Sequence, residues 1–328
     1  MIITRTPLRI EIGGGGTDLP SFYSQYGSYF ISAGINKYIY VVVNDRKYQG
    51  NFVTKYFQVQ ETEKISRIKD DLTRACLKFL KIDQPLEIIS FSDLAGQSGL
   101  GSSGTFCVGL LNALHVFKKE QVSPVKLAEE ACHINIDILG SPAGKQDEYA
   151  AAIGGFTSFS ITRRGKVRIH SDEFDPAMIS EIERNLYLFD THLRRPAKKA
   201  LDIEKKLNLK KDKGMVGNFR DAEKICFKMK GALLQKDGLI LGKLLDEHWQ
   251  VKRIRPDKPT TPQIDKWYDL GVKNGAIGGT LIGAGRGGFL LFYCPEKSNR
   301  IITSLEKAGL THVPIQFDYR GTEIIYSN

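Results

Sequence analysis

The strongest constraint on this chain is the stretch Gly96-Gln97-Ser98-Gly99-Leu100-Gly101-Ser102-Ser103-Gly104-Thr105-Phe106-Cys107, which opens into an apolar helical run over residues 106–117. Glycines let the main chain approach an anion closely and take dihedrals that a Cβ forbids. The helix that follows points free N–H groups and a partial positive charge back at the loop. This combination makes a phosphate cradle; the plainer alternative is a Gly/Ser turn ahead of a helix. Neither of the two commonest nucleotide loops fits. Gly99 to Gly104 spells G-x-G-x-x-G, but that fingerprint needs a strand running directly into its first glycine. The strand expected at residues 86–91 stops short, and residues 92–98 are polar. A P-loop needs Gly-Lys before its final Ser or Thr, and no Lys occurs here.

Upstream, residues 5–12 read as a strand leading into four consecutive glycines, Gly13 to Gly16, and then Thr17 and Asp18. Such a run makes sense where backbone passes close to a ligand. Residues 28–35, 38–44, 52–60 and 86–91 are β-branched and aromatic, hence strands, with a helix at 70–80. Ser123-Pro124 starts a helix that runs to about residue 139. Gly140-Ser141-Pro142 breaks it, and residues 144–152 form a short helix. Strands at 156–162 and 166–170 close this half, and residues 172–182, with Pro176, are the expected linker. Beyond it come a strand at 186–190 and helices at 197–207, 215–235, 239–251 and 261–274. A Gly-rich segment at 275–288, a strand at 289–293, a helix at 298–308 and strands at 313–318 and 321–326 finish the chain. This order is α+β.

The 328 residues suffice for two domains with their own cores. Five scattered cysteines form no C-x-x-C pair, and Cys107 and Cys132 sit in apolar helical patterns, so buried free thiols are expected. The N-terminus has no signal-peptide h-region, and no apolar run reaches the roughly 18 residues of a membrane span. A cytoplasmic protein without a membrane partner is expected. The net charge of +10, from 47 basic and 37 acidic residues, suits anionic ligands. Its densest part, Lys205 to Lys213, lacks interleaved aromatics and reads as a solvated helix end and loop rather than a nucleic-acid patch.

Three blocks, in order, carry a resemblance. They are Pro7-Leu8-Arg9-Ile10-Glu11-Ile12-Gly13-Gly14-Gly15-Gly16-Thr17-Asp18, the cradle, and Ile277-Gly278-Gly279-Thr280-Leu281-Ile282-Gly283-Ala284-Gly285-Arg286-Gly287-Gly288. The trio resembles the GHMP small-molecule kinases, which include galactokinase, homoserine kinase, mevalonate kinase and phosphomevalonate kinase. The third block again contains G-x-G-x-x-G, but a strand rather than a helix follows, so it is no Rossmann turn. Within the family, Gly14 to Pro20 and Gly144 to Gly155 are most similar to the branch acting on D-glycero-D-manno-heptose 7-phosphate. Leu245-Asp246-Glu247-His248-Trp249 and Lys252-Arg253 also look like that branch.

The resemblance implies a two-domain α+β fold. Residues 1–178 would form a ribosomal-protein-S5-like domain carrying the phosphate loop and the catalytic Asp. Residues 179–328 would form a ferredoxin-like domain carrying the Gly-rich loop. It further implies a kinase using ATP and Mg²⁺ on the anomeric hydroxyl of a sugar phosphate, for nucleotide-activated heptose synthesis. Asp147 falls at the family's catalytic carboxylate, and Arg9 at the basic residue that holds it ionised. Gly96, Gln97, Ser98, Gly99, Leu100, Gly101, Ser102, Ser103 and Gly104 would hold ATP, with Ser103 also on Mg²⁺. Gly15, Gly16, Thr17 and Asp18 would meet the sugar, and Gly283 and Gly285 would flank the site. For the sugar's own phosphate, Arg194 and Arg195 rank first because they follow the strand at 186–190. Lys145, Lys198, Lys252 and Arg253 are the others.

Three positions depart from the family pattern. Asn135 stands where a metal-binding Glu is usual, Thr280 where Lys is usual and Arg286 where Gly is usual. Asn135 is the expected metal position, with Asp137 and Glu148 as alternatives. These departures leave open a weakened sugar or nucleotide sensor of the same fold, beside a kinase of fucose or galactose type. A homodimer is compatible with either.

Overall fold

The computed structural model describes residues 1–56, 58–194, 198–296 and 299–328. Strand β1 (Ile2–Gly13) and the 18-residue β2 (Ser28–Asp45), joined through helix α1 (Pro20–Tyr26), pair antiparallel along almost their whole length. A short hairpin, β3 (Phe52–Lys55) and β4 (Val59–Thr62), and helix α2 (Asp71–Phe79) lead to β5 (Leu86–Ser92). Helices α3 (Ser102–Phe117), α4 (Pro124–Cys132) and α5 (Gln146–Ile153) follow, then β6 (Phe156–Ile161) and β7 (Val167–His170). Strand β2 is long enough to take β6 beside its first half and β5 beside its second. The result is an eight-stranded sheet whose main path starts from β12 (Glu323–Ser327) and runs β12-β1-β2-β5-β3-β4.

The second layer begins with α6 (Pro176–Asn185) and β8 (Leu186–Asp190), then α7 (Lys198–Leu209), α8 (Lys213–Leu234), α9 (Gly238–Arg253) and α10 (Pro262–Lys273). Strands β9 (Gly278–Leu281) and β10 (Phe289–Tyr293), helix α11 (Asn299–Lys307) and strand β11 (Thr311–Val313) complete it. Its strand order, β11-β8-β10-β9 with every pairing antiparallel, is the ferredoxin-like arrangement expected for this half. The last strand, β12 (Glu323–Ser327), returns to pair with β1. The boundary expected between residues 178 and 179 therefore falls inside α6, and the two layers are not two consecutive stretches of chain.

Five local readings change. Residues 28–35 and 38–44 are one continuous strand, and 52–60 is a hairpin rather than one strand. The expected linker at 172–182 is largely α6: Asp175 is its N-cap, accepting from the N–H groups of Ala177 and Met178, and Pro176 sits at N1. Asp-Pro is the opening of a helix as readily as a turn. The Gly-rich segment contains β9, where Gly278 lies against the Gly242 carbonyl and Gly279 against Phe292, leaving no room for a Cβ at either. Residues 314–318 lie outside β11, with only an isolated bridge from Phe317 to Ile35.

Helix α3 joins the loop to the core. It is buried from Gly104 to Leu111 and packs on β1 and β2. Gly109 allows this: its carbonyl accepts from Thr4 Oγ1 at 3.0 Å, and a Cβ there would lie 2.7 Å from Thr6 Oγ1. All five cysteines are free and buried, as expected. Among the described residues, no helix is long and apolar enough to cross a membrane. We expect Gly109→Val to lower unfolding free energy by about 1–3 kcal/mol, the usual cost of overpacking, read from urea denaturation.

Candidate active site

Arg9 assembles the site. It stands on β1 two residues before Glu11, so both side chains leave the same face of the strand. Its backbone N–H donates to the Leu100 carbonyl at 3.1 Å and its Nη1 to the Gly99 carbonyl at 2.6 Å. Nε and Nη2 both donate to Asp147 Oδ1, at 2.9 and 2.6 Å. Burial opposes the guanidinium charge, but Asp147 and Glu11 outweigh it and raise its pKa. Asp147 lies in the first turn of α5, where the helix dipole favours a carboxylate. Both bonds from Arg9 fall on Oδ1, which leaves Oδ2 for the cleft.

The phosphate loop wraps around this pair. Gln97, Gly99 and Gly101 take positive φ of 59°, 84° and 78°. No side chain caps α3, so the N–H groups of its first turn have no partner within the helix. Ser98 Oγ is buried and unpartnered. A Cβ on Gly104 would lie 2.8 Å from Asp147 Cβ, and one on Gly99 would lie 2.6 Å from the Ile282 carbonyl. The three glycine blocks of the sequence therefore meet at one place. They border a cleft of about 380 Å³.

At its other end the cleft is a mosaic of buried charge. Asp18 Oδ2 accepts from the Gln146 N–H at 2.9 Å. Burial, with Asp147 and Glu11 nearby, pushes its carboxyl up to about 6. Glu11 Oε1 is unpartnered, while Oε2 lies 3.9 Å from Lys252 Nζ. Burial alone would raise Glu11, but Lys252 and His248 pull it below its ordinary value. Burial likewise holds the Lys252 ammonium low. Arg255 grips Asp257 through Nε and Nη2 at 2.7 and 2.9 Å, and its Nη2 lies 2.8 Å from Glu204 Oε1. Burial, reinforced by the Asp257 charge, pushes Glu204 up to about 7 despite Arg255.

Of the residues expected at the site, Arg9, Asp147, Gly15, Gly16, Asp18, Gly283 and residues 96–104 except Leu100 line this cleft. Leu100 is buried beneath the loop and contributes its carbonyl to Arg9. Thr17 turns inward, donating to the Gly14 carbonyl and pairing with Ser28. Gly285 packs on Pro259 and does not line the cleft. Lys145 donates to the Gly165 carbonyl, lies over the Tyr23 ring and borders a separate pocket of about 140 Å³. Arg194 is committed to Asp190 by two hydrogen bonds and lies 5.7 Å from the centroid of the Phe289 ring. Arg253 pairs with Asp265. Arg195 and the Lys198 side chain lie outside the described residues. Of the bases ranked for the sugar's phosphate, Lys252 alone among the described residues lines the cleft. Closeness to a strand end did not say which way the Arg194 loop turns.

Arg255, Glu11 and Glu204 also line the cleft and were missed as substrate groups, and Glu148, an alternative metal position, lines it too. Glu11 was legible as the residue two beyond Arg9 on one strand. Arg255 and Glu204 were not, since they meet only through the packing of α7 near the end of α9. Asn135 lies in a π-helical turn (His133–Ile138) that continues α4. Its Nδ2 donates to Glu148 Oε1 at 2.7 Å, while Glu148 Oε2 is buried and unpartnered. With the Ser103 hydroxyl in the first turn of α3, this is an oxygen donor set that suits Mg²⁺. Thr280 and Arg286 do not line the cleft; Arg286 is fastened to the carbonyls of Lys258 and Pro259.

Residues 67–155 match the model of the GHMP kinases N terminal domain, and residues 229–310 that of the GHMP kinases C terminal; together they span just over half of the chain. The chain is 29% identical over 324 residues, 93% of each chain, to the D-glycero-alpha-D-manno-heptose 7-phosphate kinase of Campylobacter jejuni. It is 24% identical to the mevalonate kinase of Methanothermobacter thermautotrophicus, over 72% of this chain and 74% of that one. The fold is similar to that of a D-glycero-D-manno-heptose 1-phosphate kinase from Bacteroides thetaiotaomicron, with a TM-score of 0.79, 22% identity and full coverage of both chains.

The raised Asp18 carboxyl has a stability consequence. Below about pH 3.8 it is protonated folded and unfolded; as pH rises through about 6 the folded state must bury the charge and loses stability. Asp18→Asn keeps an acceptor for the Gln146 N–H. We expect it to raise the unfolding free energy at pH 8 by up to about 3 kcal/mol, seen as a higher melting temperature, with no gain at pH 3.5.

Proposed function

As a member of the GHMP kinases, the family to which this chain belongs, the protein is a phosphotransferase using ATP, and we propose that its acceptor is the anomeric hydroxyl of a sugar phosphate, D-glycero-D-manno-heptose 7-phosphate, giving the 1,7-bisphosphate. The observation that carries this reading is the Arg9–Asp147 pair set against the uncapped start of α3, with an acceptor pocket of buried carboxylates and bases beside it. The loop N–H groups and Ser98 cradle the ATP phosphates, where a helix start attracts anions. Asp147 Oδ2 takes the proton of the attacking hydroxyl, and Arg9 orients that carboxylate and neutralises charge on the transferring group. Ser103 and a neighbouring carboxylate would hold Mg²⁺, which when bound would supply charge neutralisation to the transferring phosphoryl group.

Asp18 and the free oxygen of Glu11 accept from sugar hydroxyls, each carboxylate having several acceptor sites. Lys252 and Arg255 meet the sugar's phosphate, which displaces Glu204 from Arg255. The departures at Thr280 and Arg286 lie off the cleft, which favours an active kinase over a sensor. The five free thiols suit a reducing, cytoplasmic setting.

A coupled ADP-release assay over heptose, galactose, fucose and their phosphates tests the reading. Turnover on the heptose phosphate should exceed that on the unphosphorylated sugars, and equal rates would refute the substrate assignment. Asp147→Asn should lower kcat by about 10²–10⁴-fold, the range of general-base contributions, with little change in ATP affinity. Lys252→Met should raise KM for the sugar phosphate by about tenfold or more, the worth of one charge-assisted hydrogen bond, leaving KM for ATP unchanged. Arg194→Ala should alter neither.

A further inference from the structure

We propose that Glu148 supplies the protein carboxylate of the metal site, and that Asn135 is a positioning residue that holds it there. This rests on the kinase reading, which calls for a divalent cation at the phosphate loop.

The sequence leaves residues 135, 137 and 148 as candidates, and the fold separates them. Asp137 is largely exposed, pairs with His133 at 2.7 Å and borders the smaller pocket. Asn135 is buried and also lines the cleft, but its Nδ2 is committed to Glu148 Oε1 at 2.7 Å, and it carries no charge. Glu148 is 2% exposed, lines the cleft and has one oxygen, Oε2, with no partner. That oxygen is an orphan whether or not the carboxyl carries a proton, because no acceptor stands opposite it either. A buried orphan of this kind is costly unless a ligand satisfies it.

Its placement says which ligand. A Cβ on Gly104 would lie 3.2 Å from the Glu148 carboxyl carbon. The carboxyl therefore abuts the first turn of α3, one residue from the Ser103 hydroxyl. Mg²⁺ takes one or two carboxylates together with substrate phosphates and water. Ser103, the free oxygen of Glu148 and the phosphates cradled by that turn make such a set. Asn135 acts through Glu148: its amide fixes Oε1 and so aims Oε2. The π-helical turn at 133–138 fits this role, since an extra residue per turn re-aims side chains.

Mn²⁺ serves as the probe, titrated into the protein with β,γ-imido-ATP and followed by electron paramagnetic resonance. Glu148→Gln keeps the shape and the Asn135 bond while removing the charge. It should weaken Mn²⁺ binding by about tenfold or more, with unchanged affinity for the nucleotide without metal. Asn135→Ala should weaken Mn²⁺ binding by a smaller factor than Glu148→Gln, about tenfold, the lower end of what loss of an outer-shell partner costs. A folded Glu148→Gln protein that binds Mn²⁺ like the wild type overturns the assignment. So does a larger loss in Asn135→Ala than in Glu148→Gln, which would make residue 135 the ligand. If circular dichroism shows Glu148→Gln unfolded, Glu148→Asp, with the charge withdrawn by one methylene, takes its place under the same criteria. Wild-type protein that binds Mn²⁺-nucleotide through Glu148 but releases no ADP with any sugar refutes the kinase reading and leaves the metal assignment standing.

Discussion

The buried guanidinium of Arg9 is the interaction on which the rest depends. An arginine cannot shed its proton to escape burial, so every N–H it carries inside the protein needs an acceptor. Here the acceptors come from separate parts of the chain: the carbonyl of Gly99 and the carboxylate of Asp147, while its own main-chain N–H holds Leu100. One charge thereby fastens the first strand, the phosphate loop and α5. Losing any one partner would leave a buried charge short of a bond, which costs several times what an ordinary contact contributes.

The same low-dielectric setting explains the charged end of the cleft. Glu11, Asp18, Glu148 and Glu204 are all nearly buried, as are Arg9, Lys252 and Arg255. Ions in such a place survive only by compensating one another, and the compensation is incomplete. Glu11 and Glu148 each keep an oxygen without a partner, as does the hydroxyl of Ser98. These unmet groups cost stability in the free protein and are the groups that a polar ligand satisfies. A site built this way trades stability for recognition.

Close backbone approach is the second requirement. Gly283 abuts Gly99, Gly104 abuts Asp147, and Gly144 leaves room for the Asp18 carboxyl. A side chain at Gly99 or Gly283 would push the two layers apart, and one at Gly104 or Gly144 would displace Asp147 or Asp18. The glycine blocks thus serve close backbone approach both within the first layer and between layers, and this is why three motifs far apart in the chain meet at one cleft.

Much of this was written in the sequence. Strand and helix periodicity is local, so β1, α3, α5 and the helices of the second layer stood close to where patterning put them. The loop before α3, Arg9, Asp18 and Asp147 were legible because each belongs to a short stretch whose residue types serve one chemistry. Only the tertiary structure decided the rest. Whether a base such as Lys252 faces the cleft depends on partners distant in the chain, here Glu11 and the Leu281 carbonyl, while Arg194 is taken by Asp190 only four residues before it. The return of β12 to β1, the meeting of Glu204 with Arg255 and the bond from Asn135 to Glu148 are likewise long-range pairings. Propensity and spacing carry no information about such pairings, because the free energy that selects them comes from burial and charge compensation, which exist only once the layers have packed.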